Sequence, residues 1–407
     1  MNELEAIIAE ESARDGPITF ARFMALALYH PTLGYYAGGG VGREPLGWEG
    51  DYFTSGDVHP LFGWCVGKQL AQMWELLGRP PRFDVIELGA GRGLLARDVW
   101  RYALERAPEW AAALRYTLAD RAPVGSPLRA AREKRLTTEI AALGVPTGAL
   151  AWVDEVEACA DPPATGCLLS NELVDALPVH ILTIADGALA EVYVTVDAAT
   201  GRLTEARGPL STPELASYLD EYRIPWSTYP DGWRCEVCLE AGPWLRSAAA
   251  RLARGFVLTL DYGDTARALY TRDRRRGTLA VYTRHQLGER PLAHPGRQDL
   301  TAHVNFSALV RAGRLAELRL TGLTTQERFL RGLGLMEEAA ALGTRLYPAA
   351  AFAERHTDRG QADYLRYKAL LGAAATLVNP HGLGGFRVLV QHRGVPGAGR
   401  TLLGLRG

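Results

Sequence analysis

A short strand that ends in glycines and runs straight into a helix constrains this chain more than any other stretch. Residues Phe83–Leu88 form an apolar run rich in branched side chains, which predicts a buried strand. Gly89, Gly91 and Gly93 follow at every second position, and the pattern of the next nine residues predicts a helix. Glycines at such a turn let the backbone approach a ligand closely, and the start of the helix presents unpaired N–H groups. The stretch therefore predicts a turn that binds a small molecule.

The chain around this turn alternates between strands and helices. After the glycines we predict strands at 115–119, 149–153 and 166–170, with a helix over 127–143. Alternation of this kind predicts a parallel, doubly wound α/β sheet. A total of 407 residues is enough for one large α/β domain with an added unit.

The pattern changes after the fourth predicted strand. From Val179 the chain predicts antiparallel strands joined by tight turns such as Asp186-Gly187, and Trp233–Val237 is predicted to return to the main sheet. We therefore predict four parts: a helical N-terminal region over 1–80, a core over 81–407, an antiparallel β insertion at about 179–232, and a further substrate-side segment at about 264–306.

Composition narrows the classes of partner and compartment. The formal net charge of −1 gives no electrostatic reason to expect nucleic acid or a membrane as the main partner, and no apolar run reaches the roughly 20 residues of a membrane span. Five cysteines, an odd number, argue for a reducing compartment. Cys235-Glu-Val-Cys238 lacks the second pair of ligands that a zinc site needs, so no metal is predicted. Since Met1–Arg14 has no feature of a signal peptide, we predict a cytoplasmic location.

The glycine turn leaves two cofactors open. Gly91, Gly93 and Ala96 match the dinucleotide pattern G-x-G-x-x-A, and Asp120 after the next strand supplies the acid, so an NAD-dependent oxidoreductase is one alternative. Glu87 and the three glycines match the acid-x-G-x-G-x-G pattern that binds S-adenosylmethionine. A carboxylate at Glu87 attracts the sulfonium and ammonium groups of that cofactor and repels a pyrophosphate, unless it is only a structural acid in the sheet.

These arguments favour S-adenosylmethionine as the cofactor. Asp120 is placed to accept hydrogen bonds from ribose hydroxyls, and Asp154 at the next strand end either meets the adenine or caps a helix. Asn171, which ends the fourth predicted strand, would face the transferred methyl group. The residues predicted here to contact the cofactor are Glu87, Gly89, Gly91, Gly93, Asp120 and Asn171.

The same strand end carries the candidate catalytic residues. Glu172 follows the strand and Asp175 comes three residues later. Two nearby carboxylates can hold a guanidinium by bidentate hydrogen bonds, orient its nitrogen, and accept a proton from it. The alternative for Asp175 is a helix cap. His303, close to Asp299 in a polar segment, is a third candidate because histidine titrates near neutral pH, although a single histidine is more often an ordinary hydrogen-bonded residue.

A series of motifs in order along the chain resembles one known family. They are Phe20–Pro31, Gly34-Tyr-Tyr36, Gly50–Ser55, Leu61-Phe-Gly63, Glu87–Gly93, Asn171–Pro178, Leu260–Gly263, Gly277-Thr-Leu279, Gln298–Phe306 and Gly322–Gln326. Over nearly its whole length the sequence resembles the MidA family of S-adenosylmethionine-dependent methyltransferases, whose mitochondrial members assist assembly of respiratory complex I.

The resemblance implies a Rossmann-like class I methyltransferase fold and methyl transfer to a protein arginine, of the symmetric dimethyl type in the mitochondrial members. An arginine-containing protein segment is then the expected partner. The resemblance also implies that the loop Gly50–Ser55 folds over the cofactor, which adds Thr54 and Ser55 to the cofactor-binding residues. The chain departs from the family pattern at Gly56–His59 and at Gly382–Gly385, and these departures put the substrate in doubt. A methyltransferase for a carboxylate or small molecule and a non-catalytic assembly factor stay open as alternatives.

Overall fold

The computed structural model describes residues 2–38, 44–45, 47, 54–121, 126–154, 163–283, 286–348, 356–397 and 402–406. Its helices are α1 (Glu3–Asp15), α2 (Phe20–Tyr29), α3 (Ser55–Val58), α4 (Leu61–Leu76), α5 (Leu94–Arg106), α6 (Pro108–Ala113), α7 (Pro127–Ala142), α8 (Glu214–Glu221), α9 (Ala241–Ala250), α10 (Ala266–Leu269), α11 (Phe306–Leu315), α12 (Gln326–Gly332), α13 (Leu335–Leu346) and α14 (Asp358–Leu377). Its strands are β1 (Ile18–Thr19), β2 (Phe83–Leu88), β3 (Leu114–Ala119), β4 (Leu150–Val153), β5 (Ala164–Asn171), β6 (His180–Ala185), β7 (Ala188–Val196), β8 (Leu203–Gly208), β9 (Arg234–Val237), β10 (Leu252–Asp261), β11 (Gly263–Asp264), β12 (Ala280–Thr283), β13 (Gln286–Gly288), β14 (Asp299–Thr301), β15 (Val304–Asn305), β16 (Arg319–Thr325) and β17 (Arg387–Arg393).

The central sheet has seven strands in the order β16-β17-β10-β5-β2-β3-β4. Strands β10, β5, β2, β3 and β4 run parallel, and β17 lies antiparallel to both of its neighbours. The chain passes from β2 to β3 on one side and later to β5 on the other, so the strand order reverses at β2. The predicted doubly wound α/β class is confirmed. Ligands of such sheets bind beyond the carboxyl ends of the strands where the order reverses, which is where β2 meets the glycine turn.

Apolar cores cover both faces of the central sheet. Successive side chains of β2 point to opposite faces, so Val85 packs in the core formed with α4 and α5, whereas Ile86 packs in the core formed with α9 and α11. On α4 the apolar side chains of Phe62 and Val66 are fully inaccessible. This packing holds β2 and the helix after the glycines rigidly in place.

A second, five-stranded sheet lies apart from the central one. Its order is β1-β7-β6-β9, with β8 paired to β7. The predicted turn at Asp186-Gly187 joins β6 to β7, and both residues have a positive φ, as a two-residue hairpin requires. The prediction that Trp233–Val237 rejoins the main sheet is wrong, because β9 pairs antiparallel with β6.

The N-terminal region shares this second sheet, since Ile18 and Thr19 pair with β7. The division of the chain into a region over 1–80 and a core over 81–407 stays a prediction. The segment at 264–306 contributes short strands, among which β12 pairs with both β13 and β14. Across the described ranges, no helix combines the length and the apolar character needed to cross a membrane.

Candidate active site

One cavity opens at the carboxyl ends of β2, β3 and β5, where the strand order reverses. Its lining brings together predicted site residues from separate parts of the chain: Thr54, Glu87, Gly89, Gly91, Asp120, Asn171 and Glu172. The other predicted site residues, Ser55, Gly93, Asp175 and His303, are not among the described residues that line it.

The glycine turn presents bare backbone to this cavity. Gly89, Gly91 and Gly93 all have a left-handed φ, of 70°, 53° and 71°. A Cβ at Gly93 would lie 2.4 Å from a methyl carbon of Leu136, so a side chain has no room there. The N–H of Gly91 donates to Oδ2 of Asp120 at 2.6 Å, which joins the turn to the end of β3. The turn therefore has the shape of a cradle for a ligand held against the backbone.

Glu87 reaches the cavity from a buried position in β2. Only 4% of the residue is exposed, and the hydroxyl of Tyr116 donates to its Oε2 at 2.8 Å. Burial raises the pKa of Glu87 to about 8, and the hydrogen bond from Tyr116 opposes part of that shift. A ligand cation beside Glu87 would stabilise its ionised form, whereas a phosphate would not. The glycine cradle and this carboxyl group together fit S-adenosylmethionine.

The helix α3 lies at one side of the cavity and is held there by hydrogen bonds to two carboxyl groups, its own Asp57 and Glu172. Asp57 accepts hydrogen bonds from the N–H and the hydroxyl of Thr54, at 2.9 and 3.0 Å, and from Nη1 of Arg92 at 2.8 Å. The N–H of Ser55 donates to Oε1 of Glu172 at 2.8 Å. Asp57 stands at one of the positions where the chain departs from the family pattern, and it ties α3 to the glycine turn. Residues 50–53 of the predicted cofactor loop lie outside the described residues.

The side of the cavity at the end of β5 begins with a strained residue. Glu172 has a φ of 52°, in the left-handed region that residues other than glycine rarely adopt. Its carboxyl group accepts from the N–H of Ser55 and from Nδ2 of Asn171, the latter at 3.1 Å. Burial, and in smaller part the neighbouring Asp175, raise the pKa of Glu172 to about 8.

Asp261, a residue without a predicted role, holds this turn from the end of β10. The side chain is fully buried, and its Oδ2 accepts from the N–H groups of Leu173, Val174 and Asp175 at 3.2, 2.9 and 3.3 Å. The next residue, Tyr262, donates its hydroxyl to the carboxyl group of Asp175. An acid at the carboxyl end of a parallel strand is the same signal that identified Asp120, so Asp261 could have been singled out.

These three acids have no cationic partner among the described residues of the protein. Within the described part of the chain, Glu172, Asp175 and Asp261 form no ion pair with an arginine, lysine or histidine. Oδ1 of Asp175 is buried without a hydrogen-bond partner, as is Oδ1 of Asn171. Burial raises the pKa of Asp175 to about 6. A buried group of acids without a cation is suited to bind a cation supplied by a ligand.

The remaining candidate, His303, contacts Tyr262. The residue is exposed, its ring packs edge-on against the Tyr262 ring with centroids 5.5 Å apart, and its backbone N–H donates to the hydroxyl of Thr278 at 3.1 Å. A role for His303 in the reaction stays a prediction. Two other side chains that line the cavity, Tyr29 and Tyr36, carry no predicted role, because in the sequence they belong to an apolar helix face and a glycine-rich loop.

Comparison with known proteins finds relatives over most of the chain. Residues 65–324 match the family described as "Putative S-adenosyl-L-methionine-dependent methyltransferase". Mouse protein arginine methyltransferase NDUFAF7, mitochondrial, is 30% identical, and the match covers 79% of this chain and 71% of the mouse protein. Its Drosophila melanogaster homolog is 31% identical, over 75% of this chain and 68% of that protein.

The prediction of a cytoplasmic location is wrong on this comparison, because these relatives are mitochondrial proteins.

A solved structure extends the similarity to almost the whole chain. A Burkholderia thailandensis protein, crystallised with bound S-adenosyl-homocysteine, is 28% identical and superposes with a TM-score of 0.81. The alignment covers 98% of this chain and 94% of that one. The relative binds the demethylated product of the cofactor that Glu87 and the glycine turn predict.

Proposed function

Since the chain belongs to the S-adenosyl-L-methionine-dependent methyltransferase family, we propose that it transfers a methyl group to an arginine nitrogen of a protein. The chain is an enzyme and its cofactor is S-adenosylmethionine, which excludes the NAD-dependent oxidoreductase and the non-catalytic assembly factor. Relatives named protein arginine methyltransferases support an arginine acceptor. A methyltransferase for a carboxylate or small molecule is the alternative to be tested.

The observation that carries the proposal is the group of buried acids without a cationic partner beside the cofactor cavity. Glu172 lines the cavity, Asp175 lies one turn away with one carboxyl oxygen unpartnered, and neither is paired with a cation among the described residues. An arginine guanidinium is planar, permanently charged and able to donate two parallel hydrogen bonds to a carboxylate. A carboxylate acceptor would instead bring a negative charge next to a buried group of acids, which is unfavourable.

The residues of the chain have separable tasks in this reaction. When bound, S-adenosylmethionine supplies an electrophilic methyl group on a positively charged sulfur. Gly89, Gly91, Glu87 and Asp120 would hold it at the carboxyl ends of β2 and β3. Glu172 and Asp175 bind the guanidinium and orient one nitrogen, and Glu172 accepts the proton that this nitrogen loses as it gains the methyl group. The raised pKa of Glu172 makes its carboxylate a stronger base than an exposed one.

The test is transfer of a labelled methyl group from S-adenosylmethionine into the proteins of a cell lysate, followed by mass spectrometry of the labelled sites. We expect methylated arginine, and an excess of S-adenosyl-homocysteine should suppress the label. Label found in alkali-labile esters or in small molecules, with none on arginine, would contradict the proposal and support the alternative acceptor class.

A further inference from the structure

Two tyrosine rings from the N-terminal region form part of the cavity wall. Tyr29 is the last residue of α2 and Tyr36 follows after a short loop, and both line the cavity. Their ring centroids are 5.5 Å apart and the ring planes are tilted by 34°. The two rings therefore present one continuous aromatic surface.

Hydrogen bonds fix both rings in position. The hydroxyl of Tyr29 donates to the carbonyl oxygen of Ala176 at 2.9 Å, and the hydroxyl of Tyr36 donates to Oδ1 of Asp299 at 3.1 Å. Asp299 is itself buried in β14. Because both hydroxyl groups are bonded, the rings cannot turn away from the cavity without breaking a partly buried hydrogen bond, so the wall is preorganised.

This wall lies on the acceptor side of the cavity. The residue that anchors Tyr29, Ala176, directly follows Asp175 in the chain. Burial raises the pKa of the Tyr29 hydroxyl, and the carboxyl groups of Asp175 and Asp299 add to that effect. The aromatic surface and Glu172 line the same cavity, and Asp175 lies next to the residue that anchors Tyr29.

We infer that Tyr29 and Tyr36 bind the guanidinium plane of the acceptor arginine, while Glu172 and Asp175 bind its edge. The inference rests on the proposed function, since it names the surface that selects an arginine. A guanidinium stacks on aromatic rings through its flat face and keeps its N–H groups free for carboxylates in the same plane. A lysine ammonium has no such face, so the wall favours arginine. Tyr29 and Tyr36 are specificity-determining residues contributed by the N-terminal region.

The experiment compares Tyr29→Leu and Tyr36→Leu with Tyr29→Phe and Tyr36→Phe, using a synthetic peptide that spans an arginine methylated in the lysate assay. We expect each leucine variant to raise KM for the peptide by about 5- to 30-fold, which corresponds to roughly 1–2 kcal/mol of lost cation–π contact. The phenylalanine variants keep the ring and should stay within about threefold of the wild type. Tyr193→Leu is the matched control, because Tyr193 is also half-buried and bonded to a backbone carbonyl, but lies in the second sheet.

Affinity for S-adenosyl-homocysteine, measured by calorimetry, separates the outcomes. We expect all variants to bind it within about twofold of the wild type, which also shows that they are folded. Leucine variants with a wild-type KM, or with weakened binding of S-adenosyl-homocysteine instead, would overturn the inference while leaving arginine methylation intact. A wild-type enzyme that puts no label on arginine would instead refute the proposed function before any variant is tested.

Discussion

The two ends of the cavity are assembled in different ways. The cofactor end comes from one continuous stretch, since Glu87, the glycines and Asp120 all lie within about 35 residues of each other. The acceptor end collects residues from four distant segments: Tyr29 with Tyr36, Ser55 in α3, the turn from Asn171 to Asp175, and Asp261 with Tyr262. The cofactor end is defined mainly by the path of the backbone. The acceptor end is defined by carboxyl groups and tyrosine rings that tertiary contacts hold in place.

This contrast teaches where each end is vulnerable. A backbone cradle fails when a side chain is added, whereas a charge cluster fails when a carboxylate or its anchor is removed. Substitutions at one end should therefore leave the function of the other end measurable. The five predictions below test that separation, starting with the largest expected effect.

Gly91→Val should abolish cofactor binding. Valine at a φ of 53° is strained, and its branched side chain would fill the space of the ligand. We expect the affinity for S-adenosyl-homocysteine to fall by at least about 1000-fold, or roughly 4 kcal/mol, in calorimetry. Gly187→Val is the control, because Gly187 has the same left-handed φ in a hairpin turn with open space around it. Normal affinity in Gly91→Val would refute the placement of the cofactor on this turn.

Glu172→Gln should remove methyl transfer and leave the cofactor bound. Loss of a positioned proton acceptor lowers turnover by about 100- to 1000-fold, whereas the affinity for S-adenosyl-homocysteine should change by less than about twofold. Glu236→Gln is the control, since Glu236 is also a buried acid with a raised pKa but lies in β9 of the second sheet. Retained turnover in Glu172→Gln would count against the guanidinium-binding role.

The pH profile provides a second measurement of the same residue. Burial raises the pKa of Glu172 to about 8, and only the ionised form can accept a proton. We expect kcat/KM of the wild type to fall by about tenfold for each pH unit below 8, because that ratio reports the free enzyme. A wild-type profile that is flat between pH 6 and pH 8 would contradict the assignment.

Asp261→Ala should destabilise the acceptor end without affecting the cradle. It leaves the N–H groups of Leu173, Val174 and Asp175 buried without their acceptor. We expect a loss of about 3 kcal/mol in the free energy of unfolding, measured with urea, and a larger fall in turnover than in cofactor affinity. Asp261→Asn keeps an oxygen at the same place and should lose about half as much. Equal stability of Asp261→Ala and the wild type would show that the turn at residues 173–175 does not depend on Asp261.

Glu87→Gln should stabilise the cofactor-free protein at high pH. Burial raises the pKa of Glu87 from 4.5 to about 8, so the folded state binds more protons than the unfolded state across that interval, and its stability falls as the pH rises through it. Glutamine removes this fall while keeping an acceptor for Tyr116. We expect little difference near pH 4.5 and a gain that grows by about 1.4 kcal/mol per pH unit up to pH 8, from thermal unfolding. A destabilised variant at pH 8.5 would mean that Glu87 is ionised without a ligand.

The cofactor end could be predicted from sequence because its signals are local. A buried strand, glycines at fixed spacing and an acid after the next strand are enough, since neighbouring parallel strands bring Glu87, Gly91 and Asp120 to one edge. The fold class follows from the same alternation of strands and helices. The comparison with relatives then confirms the cofactor.

The acceptor end was only partly predictable because its residues meet through tertiary contacts. Tyr29 lies on an apolar helix face, which in the sequence is typical of a buried core residue. Its hydrogen bond with Ala176 joins residues about 150 positions apart. Strand β9 followed by α9 imitates a βα unit of the central sheet, although β9 belongs to the second sheet. His303 contacts Tyr262 and is not among the described residues that line the cavity, so its role stays a prediction. In each case the local pattern is satisfied by more than one arrangement in space.

The pairing of β1 with β7 has a consequence for how the enzyme forms. Ile18 pairs with Val194, so about 180 residues must be made before this contact can close, and closing so long a loop carries a large entropic cost. Strands β2 and β3 need only about 40 residues and can pair much earlier on the ribosome. We expect the cofactor cradle to fold first during synthesis and the wall of Tyr29 and Tyr36 to fold late. An incomplete chain would then bind the methyl donor before it can bind an acceptor.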